Sequence, residues 1–216
     1  GAIEFHYGYT IQKEIQYDSI YHEHYFYFTI KTISNLLKKY NLNVFDIEKS
    51  PISGGSLVIF FSKTKKNKSQ KLIFYEDLEK KEKVNSIAKW IKFGVESKNH
   101  SLNLKKTIKK EKEKYGSKVV AYGASARSST MLNFSKIDNK LIDYIIDKNR
   151  LKSNLLTPGT NILIKEYDSS KINFKNLKTV FILAWNFKKE IMKDLKRSGF
   201  KGNFIVPLPK TTISKN

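Results

Sequence analysis

The sequence predicts an α/β protein, and three observations support that prediction. Beyond Gly116, short apolar runs alternate with amphipathic stretches at the spacing of strands and helices. Earlier in the chain, two apolar runs flank a Gly54-Gly55 turn, as in an antiparallel pair. Between these parts, residues 72–115 contain no proline and repeat apolar side chains at helical spacing. With 216 residues, 40% of them hydrophobic, the chain can bury one or two small cores.

The first part of the chain predicts short strands around one amphipathic helix. The helix covers residues 29–40, where apolar side chains recur three and four residues apart, and Asn41 is its predicted stop. The predicted strands are residues 3–7, 43–47 and 56–62, and residues 51–55 are a predicted turn. Because that turn contains two glycines, we expect the last two strands to pair antiparallel.

The middle of the chain predicts a linker followed by two long helices. Residues 63–71 are polar and rich in lysine, which is typical of a linker. The break between the helices is predicted near residues 97–101, and the charge runs at 79–83 and 109–114 are expected on solvated faces. One face of the first helix is predicted to carry Val84, Ile87, Ala88, Ile91 and Val95.

Residues 116–216 predict a small Rossmann-like domain with a parallel sheet. The predicted strands are residues 118–122, 144–147, 179–184 and 204–207. Helices are predicted after the first and third of these strands, ending near Phe134 and Ser198. The expected organisation is therefore a first part at 1–66, a helical linker at 67–115 and a C-terminal domain at 116–216.

Composition limits the kinds of site that the chain can hold. The chain has no cysteine, which excludes disulfides and thiolate metal sites. No apolar run approaches the roughly 18 residues that a membrane span needs. We therefore expect no membrane partner, a cytoplasmic location and no metal site in this chain. The start at Gly1 is neither an initiator methionine nor a signal peptide, and we interpret it as an internal boundary.

The net charge of +21 admits two interpretations. Such a field attracts nucleic acid by a salt-sensitive, sequence-independent route. The basic residues are nearly all lysines spread along the chain, however, with arginine only at Arg127, Arg150 and Arg197. Lysines that merely decorate solvent faces give the same distribution, and no RRM, zinc finger or helix-turn-helix is recognisable. We favour this second interpretation and expect no specific nucleic acid partner, although a basic surface suits a phosphate-bearing substrate.

Tyr21-His22-Glu23-His24 is the densest cluster of titratable residues in the sequence. A metal-binding interpretation is weak, because no second cluster with ligand spacing follows, and His6 and His100 stand apart. General acid–base chemistry fits better, since a histidine titrates near neutral pH and an adjacent carboxylate could orient it. A polar turn with hydrogen-bonded histidines is the structural alternative.

A second candidate site follows the predicted strand at 118–122. Its turn, Gly123-Ala124-Ser125, leads into a helix that begins with Arg127 and the hydroxyls of Ser128, Ser129 and Thr130. Backbone amides at a helix start and a guanidinium group both favour phosphate. One glycine does not make the GxGxxG fingerprint, and an ordinary β–α turn with a Ser/Thr-rich cap is the alternative.

Two further segments stand where an α/β sheet places ligand contacts. Trp185-Asn186 follows a predicted buried strand, at the carboxyl end where such sheets bind ligands. Packing of Trp185 against a helix is an equally good explanation. Thr157-Pro158-Gly159-Thr160 is a turn by composition.

These segments, in this order, resemble the sugar C-methyltransferase family. The resemblance spans essentially the whole chain and rests on six short motifs: Tyr17-Asp18-Ser19-Ile20-Tyr21-His22-Glu23-His24, Gly54-Gly55-Ser56-Leu57, Ala121-Tyr122-Gly123-Ala124-Ser125-Ala126-Arg127, Asp147-Lys148-Asn149, Thr157-Pro158-Gly159-Thr160 and Leu183-Ala184-Trp185-Asn186-Phe187.

The resemblance implies a reaction and a set of site residues. Members of the family methylate a carbon of a nucleotide-linked keto-sugar with S-adenosylmethionine as donor, in deoxysugar or polysaccharide biosynthesis. His24, helped by Glu23 and Tyr21, would remove the proton next to the ketone, and the enolate would attack the cofactor's methyl group. Gly55 and Ser56 would approach the sugar. The residues implied to hold the sugar or its nucleotide diphosphate are Gly123, Ala124, Ser125, Arg127, Thr130, Asn133, Asp147, Asn149, Trp185 and Asn186.

The family layout also implies which parts this chain contains. That layout is a small zinc-binding N-terminal domain, a central cofactor-binding Rossmann domain and a C-terminal Rossmann-like domain. The resemblance makes residues 1–66 the last part of the S-adenosylmethionine-binding sheet and residues 116–216 the substrate domain. Neither the cysteine-rich zinc domain nor the glycine-rich cofactor loop is in this sequence, so we expect the chain alone not to methylate. The expected partner is a nucleotide-diphosphate keto-sugar, and the expected state is a monomer or weak dimer.

Two positions depart from the family pattern. Ser128 stands where the family commonly has glycine, and Arg150 stands where a proline often follows the Asp147-Lys148-Asn149 motif. Both bear on the geometry of nucleotide binding. The alternative function is a binding module that recognises a nucleotide sugar or another phosphorylated ligand without chemistry.

Overall fold

A computed structural model describes residues 1–168 and 172–215 of the chain. The chain divides into two units, Gly1–Gln16 with His22–Glu96, and Tyr17–Tyr21 with Ser97–Asn216. The short segment Tyr17–Tyr21 therefore belongs with residues far along the chain. Each unit contains its own β-sheet.

The first unit contains an antiparallel three-stranded sheet with helices. Its strands are β1 (Ala2–His6), β2 (Asn43–Ser50) and β3 (Ser56–Ser62), in the order β1-β3-β2. Its helices are α1 (Gly8–Lys13), α2 (Ile30–Lys38) and α3 (Gln70–Lys81). The predicted strands, the predicted helix and the antiparallel pairing across the Gly54-Gly55 turn are confirmed. Helix α1 was not predicted.

The core of the first unit forms where the sheet meets α2 and α3. Ile47, Leu57, Ile59 and Leu72 are at most 2% exposed and belong to one cluster. Burying side chains of this size stabilises the fold by about 1.5–3 kcal/mol each. Thr29 caps α2 by accepting a hydrogen bond from the Thr32 amide, which explains why the helix begins there.

Helix α4 (Ile87–Tyr115) is one continuous helix and corrects two predictions. Residues 97–101 lie inside it, so the predicted break at that point was wrong. The chain instead turns between α3 and α4, where Lys83 adopts a positive φ of 53° and Val84 is fully buried. The predicted apolar face was also wrong. Ile87, Ile91 and Val95 are 79%, 63% and 56% exposed, because α4 buries a different stripe that includes Leu104 and Ile108.

The second unit contains a six-stranded sheet, parallel except at one edge. The strands are β4 (Val119–Tyr122), β5 (Ile142–Asp147), β6 (Leu163–Glu166), β7 (Thr179–Ile182), β8 (Asn203–Val206) and β9 (Thr212–Ser214). Their order is β6-β5-β4-β7-β8-β9, and only β9 pairs antiparallel. Helix α5 (Ala126–Ser135) follows β4, and α6 (Lys188–Arg197) follows β7. The predicted Rossmann-like parallel α/β domain is confirmed.

The central strands of this sheet are buried on both faces. Every residue of β4 and β7 is buried, which is typical of parallel strands covered by helices on both sides. Four predicted strands match β4, β5, β7 and β8, whereas β6 and β9 were missed. The strand predicted at 179–184 ends earlier, at Ile182, and Trp185 begins a short 3-10 helix. Across the described ranges, no helix combines the length and apolar character that crossing a bilayer requires.

Candidate functional site

The candidate site of the second unit lies where the order of its strands reverses. Strand β4 has β5 on one side and β7 on the other, so the connections after β4 and β7 run to opposite sides. Open α/β sheets bind ligands in the crevice that this reversal leaves at the carboxyl ends of the strands. Gly123 follows β4 and Trp185 follows β7 at this point, so the structure brings the two predicted turns together.

Gly123 is required by the close approach of the two turns. Its φ is +97°, and a Cβ at this position would lie 2.6 Å from the Ala184 Cβ. The amides of Leu183 and Ala184 both donate to the Tyr122 carbonyl, at 2.9 and 3.2 Å. The two turns are therefore in direct contact, with no room for a side chain between them.

Asp147 and Lys152 fix the backbone of the turn after β4. Asp147 Oδ2 accepts a hydrogen bond from the Ala124 amide at 2.7 Å, and Lys152 Nζ donates to the Ala124 carbonyl at 2.6 Å. Lys152 Nζ also lies 3.6 Å from the Asp147 carboxylate. Asp147 is thus placed at the predicted site, where its contact is with the turn itself. Lys152 was not predicted, because its role depends on a contact 28 residues away in sequence.

Ser125 begins helix α5. Its Oγ accepts a hydrogen bond from the Ser128 amide at 3.2 Å, and the Ser125 residue is exposed. Thr130, one turn further on, donates to the Ala126 carbonyl at 3.1 Å. The predicted Ser/Thr-rich cap is therefore present. It lies at the carboxyl edge of the sheet, where helix-start amides favour anions.

Arg127 does not stand alone at this helix start. Its Nε and Nη2 donate to the two carboxylate oxygens of Asp18, each at 3.0 Å. Trp185 Nε1 donates to Asp18 Oδ2 at 2.8 Å, and the Arg127 guanidinium lies 5.0 Å from the centre of the Trp185 ring. Two predicted binding residues thus converge on a carboxylate that was not predicted to take part. Asp18 stood within a recognised motif, but nothing in its spacing indicated a partner 109 residues away.

Three predicted asparagines are exposed, but only Asn149 and Asn186 follow strand ends at the crevice. Asn133 lies in the last turn of α5, against the turn that precedes β6. Asn133 Nδ2 donates to the Ser129 and Pro158 carbonyls, and so ties α5 to the Thr157-Pro158-Gly159-Thr160 turn. Asn149 Oδ1 accepts from the Leu151 amide at 3.0 Å and caps a short 3-10 helix. Asn186 lies in the 3-10 helix that follows β7.

In the first unit, the Gly54-Gly55 turn is held by a buried glutamine. Gln16 is fully buried, and its Nε2 donates to the Gly54 carbonyl at 3.0 Å while its Oε1 lies 2.6 Å from His6 Nε2. Gly55 has a φ of +127°, and a Cβ there would lie 2.8 Å from Thr10 Cγ2. Ser56 is 5% exposed and donates to the Ile52 carbonyl at 3.1 Å. Gln16 was not predicted.

The predicted acid–base residues lie on a short loop. Glu23 is exposed, Tyr21 and His24 are partly buried, and the His24 ring centroid is 6.3 Å from that of Tyr27. The next two side chains, Tyr25 and Phe26, are 83% and 76% exposed. Tyr21 belongs to the second unit, whereas Glu23 and His24 belong to the first. Residues 23–26 of the loop thus carry a carboxylate and a histidine beside two exposed aromatic side chains.

A buried histidine lies behind the segment that precedes this loop. His100 Nδ1 is 3.1 Å from the Tyr17 hydroxyl, and His100 Nε2 is 2.8 Å from the Pro207 carbonyl. Burial lowers the pKa of His100 below its ordinary value, while the Pro207 carbonyl and the charge of Asp18 oppose that shift. His100 therefore serves as a neutral, hydrogen-bonded core residue of the second unit.

The first unit also contains a groove of about 650 Å³. Its lining includes Lys31, Lys38 and Glu79 and none of the predicted site residues. Glu79 is 3% exposed, and its carboxylate accepts from the Ile30 and Lys31 amides at 2.6 and 3.2 Å. It stabilises the start of α2. We regard the crevice of the second unit as the better candidate, because polar groups from two strand ends converge there.

The described residues offer no candidate metal centre, and the turn after β1 differs from a glycine-rich cofactor loop. Within those ranges, no group of three or more His, Cys, Asp or Glu side chains could hold a metal ion. The turn after β1 contains a single glycine, Gly8, whose open side faces the Phe28 carbonyl, 3.1 Å from where a Cβ would lie. That turn therefore offers no glycine-lined space for S-adenosylmethionine.

The comparisons with known proteins agree with this architecture. The chain is 24% identical over 216 residues to C-methyltransferase NovU from Streptomyces niveus, an alignment that covers 98% of this chain and 50% of that protein. The chain thus spans about half the length of this relative. A family model, the C-methyltransferase C-terminal domain, matches residues 51–209, which include the turns after β4 and β7. This chain belongs to the C-methyltransferase C-terminal domain family.

Proposed function

We propose that the protein to which this chain belongs is an S-adenosylmethionine-dependent C-methyltransferase that acts on a nucleotide-linked keto-sugar. In this proposal the chain supplies the substrate side of the site. The observation that supports it is that the two turns predicted to bind substrate meet where the strand order of the second unit reverses, within the range that the family model matches. Such crevices are the usual ligand sites of open α/β sheets.

His24 is the proposed base. A ketone makes the neighbouring C–H acidic, and a histidine placed beside it can accept the proton near neutral pH. Glu23 is proposed to orient the imidazole, and Tyr21 to donate a hydrogen bond to the enolate oxygen as charge develops there. The exposure of this loop supports the assignment, because a substrate can reach it without unfolding the core.

The nucleotide part of the substrate is assigned to the crevice of the second unit. Ser125, Asn149 and Asn186 are exposed there and offer hydroxyl and amide groups. Gly123, Ala124 and Asp147 would shape the turn against which a diphosphate lies, while Thr130 and Asn133 support the helix behind it. Gly55 and Ser56 are proposed to approach the sugar.

The methyl donor is outside what this chain's residues explain. Residues 1–66 are proposed to be the last part of the cofactor domain, residues 67–115 a helical linker, and residues 116–216 the substrate domain. The chemistry assigned to this chain is substrate binding and proton removal, and we expect no methyl transfer by the 216-residue chain alone.

Methyl transfer by the intact protein tests the proposal. It would be incubated with S-adenosylmethionine and a thymidine-diphosphate keto-sugar, and the sugar analysed by mass spectrometry for an added methyl group. Loss of a general base typically lowers the rate by about 10²–10⁴-fold, so the rate of methyl transfer by the His24→Gln variant should fall by that factor. His22→Gln, two residues away on the same loop, is the matched control and should retain most of the activity. Equal rates for the two variants would contradict the assignment of the base.

The exposed hydroxyl and amide groups of Ser125, Asn149 and Asn186 also suit one alternative, a module that binds a nucleotide sugar without chemistry. Titration calorimetry of this chain with thymidine diphosphate at two salt concentrations addresses it. Saturable binding that survives the higher salt concentration places a ligand site in this chain under either function. Binding of that kind, in an intact protein that methylates no nucleotide keto-sugar, would favour the module.

A further inference from the structure

The Asp18 carboxylate is a buried acidic group at the crevice with three hydrogen bonds. Its side chain is 1% exposed and accepts hydrogen bonds from Arg127 Nε, Arg127 Nη2 and Trp185 Nε1 at 3.0, 3.0 and 2.8 Å. The pair is bidentate, the geometry in which a guanidinium fork binds a carboxylate most strongly. The Trp185 ring also lies against the guanidinium, which adds a cation–π contact.

These three residues come from three separate places in the second unit. Arg127 lies in the first turn of α5, directly after β4, and Trp185 follows β7. Asp18 lies in the 3-10 helix Tyr17–Ser19. The carboxylate therefore fastens this short helix to both turns that form the crevice.

The neighbours of Asp18 are fastened as well. The Tyr17 hydroxyl lies 3.1 Å from His100 Nδ1 and 3.3 Å from Ser135 Oγ, and the Tyr17 ring packs 4.8 Å from that of Phe134. Exposure then rises abruptly, from 1% at Ser19 to 45% at Ile20. The buried anchor thus ends just before Tyr21, the first of the proposed acid–base residues.

We propose that Asp18, Arg127 and Trp185 form a positioning clamp that fixes the start of the acid–base loop on the crevice. In this clamp the anion held by Arg127 is the chain's own Asp18, in place of a substrate phosphate. The role in catalysis rests on the proposed function, but the clamp itself does not. The clamp rests on the three hydrogen bonds alone. Removing one partner of this buried ion pair would leave an uncompensated charge.

The clamp and a direct phosphate contact predict different behaviour for Asp18. If Arg127 bound a phosphate, removing Asp18 would leave its guanidinium available to the ligand, and only Arg127 variants would lose affinity. If the clamp is correct, Asp18→Asn and Arg127→Gln disrupt the same interaction. Their effects should then be non-additive, so the double variant should be no worse than the more severe single one.

Amide hydrogen exchange of the 216-residue chain tests the clamp without any substrate. In each single variant we expect the amides of residues 18–20 to exchange at least tenfold faster, with β4 amides unchanged. The Trp185 indole N–H, observed by NMR with Trp90 as internal reference, should also exchange faster in Asp18→Asn. Exchange rates within threefold of wild type would overturn the clamp. It would also be overturned if the effects of the two single variants multiplied in the double variant. Trp185→Phe keeps the ion pair and should give a smaller increase, which preserves the test if Asp18→Asn does not fold.

The exposed pair Asp77–Lys80 provides the matched control. Its atoms are 3.0 Å apart, but the side chains are 64% and 77% exposed, so its variants should leave the exchange of residues 18–20 unchanged. In the intact methyltransferase, Asp18→Asn should lower kcat at least tenfold while KM for the nucleotide sugar stays within threefold. A rise in KM confined to Arg127→Gln would instead establish a phosphate contact and refute the clamp. Absence of methyl transfer in the wild type would refute the proposed function and leave the exchange result valid.

Discussion

Replacing Gly123 by alanine tests whether the contact between the two crevice turns is as close as the structure has it. Two separate costs are expected. A non-glycine residue in the left-handed region costs about 1–2 kcal/mol, and Gly123 has a φ of +97°. The new Cβ would also lie 2.6 Å from the Ala184 Cβ, whereas carbon atoms prefer about 3.5–4.0 Å. Overpacking of this kind adds about 1–3 kcal/mol, so Gly123→Ala should lower the free energy of unfolding by about 2–5 kcal/mol.

Two other glycines separate these costs. Gly116 has a φ of +63° but nothing within 4 Å of the point where a Cβ would lie, so Gly116→Ala should show the backbone cost alone, about 1–2 kcal/mol. Gly94 lies within α4 with nothing within 4 Å and no positive φ, so Gly94→Ala should stabilise the helix by about 0.5–1 kcal/mol. The difference between Gly123→Ala and Gly116→Ala therefore contains the contact with Ala184, together with the extra backbone cost of a φ of +97° over one of +63°.

Urea unfolding is the suitable assay. Far-ultraviolet circular dichroism would follow the three variants, and Trp185 fluorescence in a Trp90→Phe background would report on the second unit. Comparable slopes of the free energy against urea concentration would show that the same surface is exposed in each variant. A Gly123→Ala variant no less stable than Gly116→Ala would refute the argument, because the turn would then have room for a side chain.

Two further predictions concern buried polar groups. Because burial lowers the pKa of His100 from its ordinary 6.5, the unfolded chain binds a proton there more readily than the folded one. The difference in unfolding free energy between wild type and His100→Gln should therefore be constant above about pH 6.5. It should fall, by up to about 1.4 kcal/mol per pH unit, as the pH drops toward 5. A difference that does not change with pH would show that folding does not shift the pKa of His100. Glu79 accepts from the Ile30 amide at the start of α2, so Glu79→Gln should cost about 1–3 kcal/mol in thermal unfolding. Glu76→Gln, which removes a surface pair with Lys68, should cost less than about 1 kcal/mol, and equal losses in the two variants would contradict the capping role.

The elements that the sequence predicted correctly are those whose signals are local. Strand β3 was predicted with its observed bounds, because its apolar run stands between a two-glycine turn and a lysine-rich stretch. The start of α5 was visible for the same reason, since a glycine and a serine cap follow a buried strand. Strand β6, Leu163–Glu166, was missed because half of its residues are charged. Nothing in so short a segment separates it from a loop.

The helix break illustrates why local signals can mislead. Residues 97–101 contain two serines and an asparagine, which favour a break, yet Ser97 and Ser101 are 2% and 4% exposed within α4. The real break follows α3, where the Val84 amide donates to the Glu79 carbonyl at 3.0 Å and the Val84 side chain is fully buried. Burial of Val84 and of the Glu79 carboxylate depends on the tertiary fold. Helix propensity alone could therefore not have located the break between α3 and α4.

The Asp18–Arg127 pair changes how the high positive charge bears on ligand binding. Arg127 and Lys152 both lie at the crevice, but each already faces a carboxylate, Asp18 in one case and Asp147 in the other. A diphosphate there would meet backbone amides and hydroxyls at short range. Lys148, beside Asn149, is paired with Asp194, and lysines elsewhere on the surface act at a distance. Such distant charges are screened beyond about 10 Å at 0.1 M salt, whereas short hydrogen bonds are screened much less. The affinity for thymidine diphosphate should therefore fall by a modest factor between low and moderate salt and then level off. A continuous steep fall would place the ligand on the lysine-covered surface instead of in the crevice.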